Sequence, residues 1–270
     1  MGDVILFSCG GAARHILGKM SESPGVPVVM LDSNGDSSIP LRDEDVPDIY
    51  LDEFESYTMA VENRDEIRAR MHGMRVVIMF SVLGGWSSSG ILPVIAECAR
   101  AEGCSVVTVA GLPFEASRRD KGLRMMNEVL EMSDRMFVVD MAAYSRIYPD
   151  LVVHRVMNLI ASSVSFSVRN LAHLMEGPFF STFYKKVYAV AYTTDMSPSN
   201  AVARAADASA FEVDPAYGKS IIMVSSGFGT AQIESIYNTV VSMTGIIPDI
   251  VKREDADDTR VLTFIPVQGF

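Results

Sequence analysis

Residues 84–90, Gly-Gly-Trp-Ser-Ser-Ser-Gly, stand between the apolar run 76–80 and a helix-like stretch beginning at Ile91. A strand, a small-residue loop and a helix start in that order present backbone N–H groups to an anion such as a phosphate. Gly84 and Gly85 allow close backbone approach, Ser87, Ser88 and Ser89 offer hydroxyl donors, and Gly90 closes the segment. A second segment of the same kind, Gly10-Gly11-Ala12, follows the apolar run 4–9, with Arg14 placed to add a charge-assisted bond. Asp32-Ser33-Asn34 follows a third apolar run, 26–31. Each segment also has a plainer reading. Gly10-Gly11 makes a tight turn, serines cap helices, Asp32 with Asn34 forms an Asx turn, and Arg14 is solvated. Trp86 is bulky enough to fill space a phosphate would use, and packs equally well at a subunit or domain contact. The histidines at 15, 72, 154 and 173 and the three cysteines at 9, 98 and 104 show no metal-ligand spacing and no companion nucleophile. No catalytic residue and no metal site is assigned.

The elements that must position these segments alternate along the chain. Runs 4–9, 26–31, 76–80, 105–110 and 135–139 read as buried strands, with a short one at 48–51. Helical patterns lie at 12–20, 60–71, 92–101 and 117–132. That alternation predicts a Rossmann-like α/β fold, a parallel sheet covered on both faces, with its ligand site at the carboxyl ends of the strands. After residue 148 the pattern changes. Leu151, Val152, Val156, Leu159, Ile160, Val164, Val168 and Leu171 recur at helical spacing, which predicts one helix of about seven turns with Pro149 in its first turn and Gly177-Pro178 after its end. Strands at 187–193, 220–225 and 260–267 and helices at 199–208 and 231–243 make a smaller α/β unit. The expected division is a nucleotide-binding domain over 1–148, the central helix and connector over 149–178, and a C-terminal α/β domain over 179–270.

Composition narrows the function classes. With 49% hydrophobic and 21% charged residues the chain is globular, and its net charge of −11 argues against a nucleic-acid surface. No apolar run approaches the roughly 20 residues of a membrane-spanning helix. Residues 1–10 read as a first strand and not as a leader, and disulfide-free cysteine usage points to the cytoplasm.

Taken together the segments resemble the tubulin/FtsZ superfamily. Cys9-Gly10-Gly11-Ala12-Ala13-Arg14 is similar to its first glycine-rich loop, and residues 84–90 are similar to its G-G-G-T-G-[ST]-G signature. Pro113-Phe114 with Arg118 and Arg119 resembles the segment near the ribose, and Arg260-Val261-Leu262-Thr263 through Gly269-Phe270 resembles the closing strand of FtsZ. The resemblance implies GTP or GDP as ligand, with magnesium left open. It implies phosphate contacts at Gly10, Gly11, Ala12, Arg14, Asp32, Gly84, Gly85, Ser87, Ser88, Ser89 and Gly90, a ribose contact at Pro113, and Tyr148 stacking on the base. It implies head-to-tail self-association, or association with another FtsZ-family protein.

Three departures accompany it. The stretch after the central helix, 175–186, contains no Asp, where the family carries N-x-D-x-x-D to activate water, and Glu176 stands alone. Residues 52–58 contain no glycine where FtsZ has a glycine-rich segment over the γ-phosphate, and Val152 stands where the family reads guanine with asparagine. The implied protein binds GTP in a GTPase fold with hydrolysis weak or lost, and without the tail peptide that docks membrane anchors. Two rivals follow from the same residues: a nucleotide-free interaction scaffold, favoured by Trp86 and Val152, and a doubly wound enzyme using another nucleotide or dinucleotide at Gly10-Gly11.

Overall fold

The computed structural model describes residues 3–20, 22–32, 38–40, 52–175, 181, 183–193, 211–213, 220–225, 227–253 and 260–268. Its backbone is one twisted sheet, eleven-stranded among the described residues. The strands are β1 (Val4–Cys9), β2 (Val28–Asp32), β3 (Ile39–Pro40), β4 (Val76–Val82), β5 (Ser105–Leu112), β6 (Arg135–Asp140), β7 (Val187–Thr193), β8 (Glu212–Val213), β9 (Ile221–Ser225), β10 (Asp249–Arg253) and β11 (Val261–Gln268). Their order is β10-β9-β11-β7-β6-β5-β4-β1-β2-β3, with β8 on β11. From β3 to β7 every pairing is parallel, whereas β11 runs antiparallel to both β7 and β9.

The parallel strands are apolar on both faces because helices cover both. On one face Val4, Leu6, Ile78, Phe80 and Val109 pack with α1 (Gly11–Leu17), α6 (Met141–Ile147) and α7 (Val153–Leu174). On the other, Ile5, Phe7, Val77 and Met79 pack with α2 (Glu53–Glu62), α3 (Arg64–Met71), α4 (Trp86–Ala101) and α5 (Ala116–Met132). A last helix, α8 (Thr230–Thr244), joins β9 to β10 and packs Ile236 and Val240 on Val261.

The long helix forms over 22 residues, and Pro149 lies before it in the turn that separates it from α6, not in its first turn as the sequence predicted. Nearly every residue from Ile160 to Val168 is buried, as befits a helix enclosed on most sides. Its buried polar groups are matched: Ser163 Oγ meets the Tyr144 hydroxyl at 2.6 Å, Ser167 donates to the Ser163 carbonyl, and Asn170 Oδ1 accepts from Arg253 of β10 at 3.0 Å. Beside it, Ser165 donates to the Glu22 carbonyl, while the Glu22 carboxylate binds Arg169 of α7 at 3.2 Å and Arg260 ahead of β11 at 2.8 Å. Phe137, Phe183, Tyr188 and Phe264 close the core where β6, β7 and β11 meet, with ring centroids 4.8–5.9 Å apart.

Several boundaries differ from the sequence reading for local reasons. Residues 52–58 are not a loop. Asp52 accepts from the Glu55 N–H and Glu55 accepts in return from the Asp52 N–H, a capping box that starts α2 at Glu53, ahead of the helix expected from residue 60. Helix α4 begins at Trp86, so most of the expected loop is its first turn. Short β3, β8 and β10 and helix α6 are additional. The expected strand at 48–51, the helix at 199–208 and the terminal Gly269-Phe270 lie outside the described residues.

Candidate functional site

Strand order reverses between β1 and β4: the chain winds outward from β1 through β2 and β3 on one side, and from β4 through β5 and β6 on the other. Ligands of open α/β sheets bind outside the carboxyl ends of strands at such a switch point. Cys9 of β1 is in register with Ser81 of β4, so both glycine-bearing segments leave the sheet side by side.

Gly10 adopts φ 85°, and a Cβ placed there would come within 3.6 Å of the Ser87 Cβ and 3.7 Å of the Ser88 nitrogen. The starts of α1 and α4 therefore stand close together, with room for no more than about a methyl group between Gly10 and Ser87. Neither Gly10 nor Gly85, the residues preceding the two helices, supplies a side-chain cap, so the first N–H groups of α4 keep their donor capacity. The serines point the other way. Ser88 donates to the carbonyls of Val82 and Gly85 at 3.1 and 2.9 Å, and Ser89 donates to that of Gly85 at 3.0 Å. Ser87 is half-buried. Trp86 is 57% exposed, with Lys121 of α5 over its ring at 3.4 Å, so the indole leans toward α5.

Two of the predicted glycines have structural work of their own. Gly84 has φ 82°, and a Cβ there would collide with the carbonyl of Arg118, so this residue lets the β4–α4 turn lie on α5. Gly90 is buried one turn into α4, where a Cβ would collide with the Glu53 carbonyl and lie 2.6 Å from the Tyr57 nitrogen. It is where α2 crosses α4.

The charged residues are held in pairs. Asp32, at the carboxyl end of β2, is 5% exposed, and Arg14 Nε donates to its Oδ2 at 2.9 Å. A Cβ on Gly11 would lie 3.3 Å from the same oxygen, so Asp32 stands against the first turn of α1. Ala12 is exposed on that turn. At the carboxyl end of β6, buried Asp140 receives Arg119 through two bonds of 2.6 and 2.7 Å, receives Arg146 at 3.2 Å, and caps α6 through the N–H groups of Ala142 and Ala143. Arg118 pairs with Glu115 at 3.2 Å, and Lys121 lies 3.8 Å from Glu53. Pro113 is buried after β5, while Phe114 beside it is 38% exposed. Tyr148 follows α6 with its ring partly buried against the core, and Val152 and Val153 at the start of α7 are 66% and 74% exposed. Burial pushes the Cys9 thiol well above the ordinary range, which keeps it from thiolate chemistry beside Gly10.

Sequence reasoning missed Asp140. The signal was present, an acidic residue ending an apolar run and directly preceding a helical segment, which is an N-cap pattern. Of the segment after the long helix, Glu176 through Phe180 and Thr182 lie outside the described residues. Phe183 is buried and Tyr184 is 54% exposed. Among the described residues no group of three or more His, Cys, Asp or Glu is placed to hold a metal ion, and no helix is long and apolar enough to cross a membrane.

No family model matches the chain. Over 122 residues, 44% of this chain, it is 30% identical to cell division protein FtsZ 1 of Pyrococcus horikoshii. That match spans about a third of the length of the curated relatives concerned, 33% in this case. The solved empty FtsZ dimer of M. jannaschii superposes over 99% of this chain and 88% of its own, with a TM-score of 0.75 at 16% identity. Over part of its sequence the chain is similar to FtsZ, and its fold is that of the solved FtsZ structures. CetZ from Methanosaeta thermophila superposes over 99% of this chain and 87% of its own with a TM-score of 0.68 at 14% identity, so the likeness in fold includes CetZ as well as FtsZ. At these identities the superpositions speak for the fold. The residues at the switch point must speak for the chemistry.

Proposed function

We propose that this FtsZ/tubulin-like protein binds a guanine nucleotide at the β1/β4 switch point and associates head-to-tail, with itself or with another FtsZ-family protein of the cytoplasm. The observation that carries the reading is the close approach of the Gly10 backbone to Ser87-Ser88 at the uncapped start of α4. Gly10, Gly11 and Ala12 would line one side of the phosphates and Gly85, Ser87 and Ser88 the other, with Pro113 toward the ribose and Tyr148 toward the base. Gly84 and Gly90 would serve the site indirectly, by seating α4 on α5 and α2.

Hydrolysis is weak or lost in this reading. Attack on the terminal phosphate needs a group that orients water, and residues 175–186 offer no Asp for it. The α2 helix, standing where FtsZ has a glycine-rich segment, supports the same conclusion. Calorimetric titration of nucleotide-stripped protein with GDP and GTP, with ATP as control, tests binding. Phosphate release under assembling conditions tests hydrolysis, and turnover lost on Glu176→Gln would overturn the second half.

A second reading, a nucleotide-free scaffold that keeps the fold for its surfaces, draws on a specific observation: Ser88 and Ser89 spend their hydroxyls on backbone carbonyls. Saturable guanine-selective binding excludes it.

A further inference from the structure

The cations nearest the switch point are already engaged. Arg14 is held by Asp32, Arg119 by Asp140, Arg118 by Glu115, and Lys121 lies between Trp86 and Glu53. A phosphate placed over the starts of α1 and α4 therefore meets backbone N–H groups and an arginine whose charge is cancelled at 2.9 Å. Among these pairs Arg14–Asp32 stands against the start of α1 itself, because Asp32 Oδ2 lies 3.3 Å from the position of a Gly11 Cβ. Its carboxylate is 6% exposed while the Arg14 side chain is 31% exposed, so the acid is fixed and the base is the member that could swing to a ligand.

We propose that Asp32 is a specificity-determining residue of this site: by neutralising Arg14 beside the cradle, it makes the site prefer the less charged nucleoside diphosphate over the triphosphate. This rests on the nucleotide reading given above. The physical ground is that each added phosphate brings negative charge toward a fixed carboxylate, and no freed guanidinium is there to offset it. Replacing Asp32 by Asn keeps the shape and removes the charge. Arg14 is then released to make a charge-assisted bond to phosphate, which raises affinity by about tenfold or more.

The test is calorimetric titration with GDP and with GTP in magnesium-free buffer, using the wild-type chain, Asp32→Asn, Arg14→Gln and the double variant, with thermal melting of each alongside. The wild type is expected to bind GDP at least as tightly as GTP. Asp32→Asn is expected to shift the ratio toward GTP by about tenfold, and the shift is expected to vanish in the double variant. A wild-type ratio unchanged by Asp32→Asn, or a shift that survives loss of Arg14, overturns the proposal while leaving nucleotide binding intact. Binding gained only in Asp32→Asn upholds the role of Asp32 and overturns the wild type as a nucleotide binder. If no form binds either nucleotide, both fall. If Asp32→Asn does not fold, the wild type decides: a tenfold preference for GTP overturns the proposal, and a preference for GDP supports it.

Discussion

Gly90→Ala sets two effects of opposite sign against each other. Gly90 sits inside α4, where an exposed Gly→Ala change would stabilise the helix by about 1 kcal/mol. Packing opposes this. The new Cβ would collide with the Glu53 carbonyl, and would lie 2.6 Å from the Tyr57 nitrogen and 2.9 Å from the Ser56 Cβ. Two of these neighbours are backbone atoms of α2, which cannot turn away as a side chain would. Overpacking costs about 1–3 kcal/mol, and rigid neighbours place this case at the top of that range. Subtracting the propensity gain leaves a net loss of about 2 kcal/mol, or a fall of roughly 4–8 °C in melting temperature for a chain of this size. Urea denaturation followed by circular dichroism measures it. A Gly90→Ala variant as stable as the wild type, or more so, would refute the claim that this glycine exists to let α2 cross α4.

Asp140→Ala is expected to cost about 3–4 kcal/mol in urea, from the stranded Arg119 and the lost cap, and Asp140→Asn about 1 kcal/mol less because asparagine still caps α6. The Glu22 carboxyl is held below its ordinary range by its hydrogen bond from Arg260, with Arg169 assisting and burial opposing. A carboxyl lowered in this way stabilises the fold at neutral pH and loses that contribution as pH falls through its folded value. The wild type should therefore exceed Glu22→Gln by at most about 1 kcal/mol at pH 7, since the group is half exposed, and the gap should close below about pH 4. Lys121→Ala should shift the emission of Trp86, the sole tryptophan, while costing no more than about 1 kcal/mol; unchanged emission would mean that the cation does not rest on the ring.

The buried parallel strands were legible because apolar residues on both faces leave continuous runs: 4–9 and 187–193 were placed to the residue, and the positions of both glycine-bearing segments followed from their neighbours. Strand β10, Asp-Ile-Val-Lys-Arg, carries too little apolar character to stand out, because it lies at the edge of the sheet. The start of helix α2 is legible in Asp52 and Glu55, which spell out its cap ahead of the helical pattern at 60–71. That Gly84 and Gly90 seat α4 against α5 and α2 was not legible, because sequence shows a missing side chain and not what approaches in its place. The pairing of Arg14 with Asp32, 18 residues apart, and of Arg119 with Asp140, 21 apart, depends on strand order, which spacing alone does not reveal.

Strand β11 follows β9 and β10 in the chain but lies between β7 and β9 in the sheet. During synthesis, the seven parallel strands from β3 to β7 can assemble as they leave the ribosome, whereas β9, α8 and β10 have nothing to join until Val261–Gln268 emerges. For that interval β7 is an open edge whose unpaired N–H and C=O groups invite another strand. The nascent chain is thus most exposed to mispairing, and most in need of a chaperone, just before its closing strand arrives.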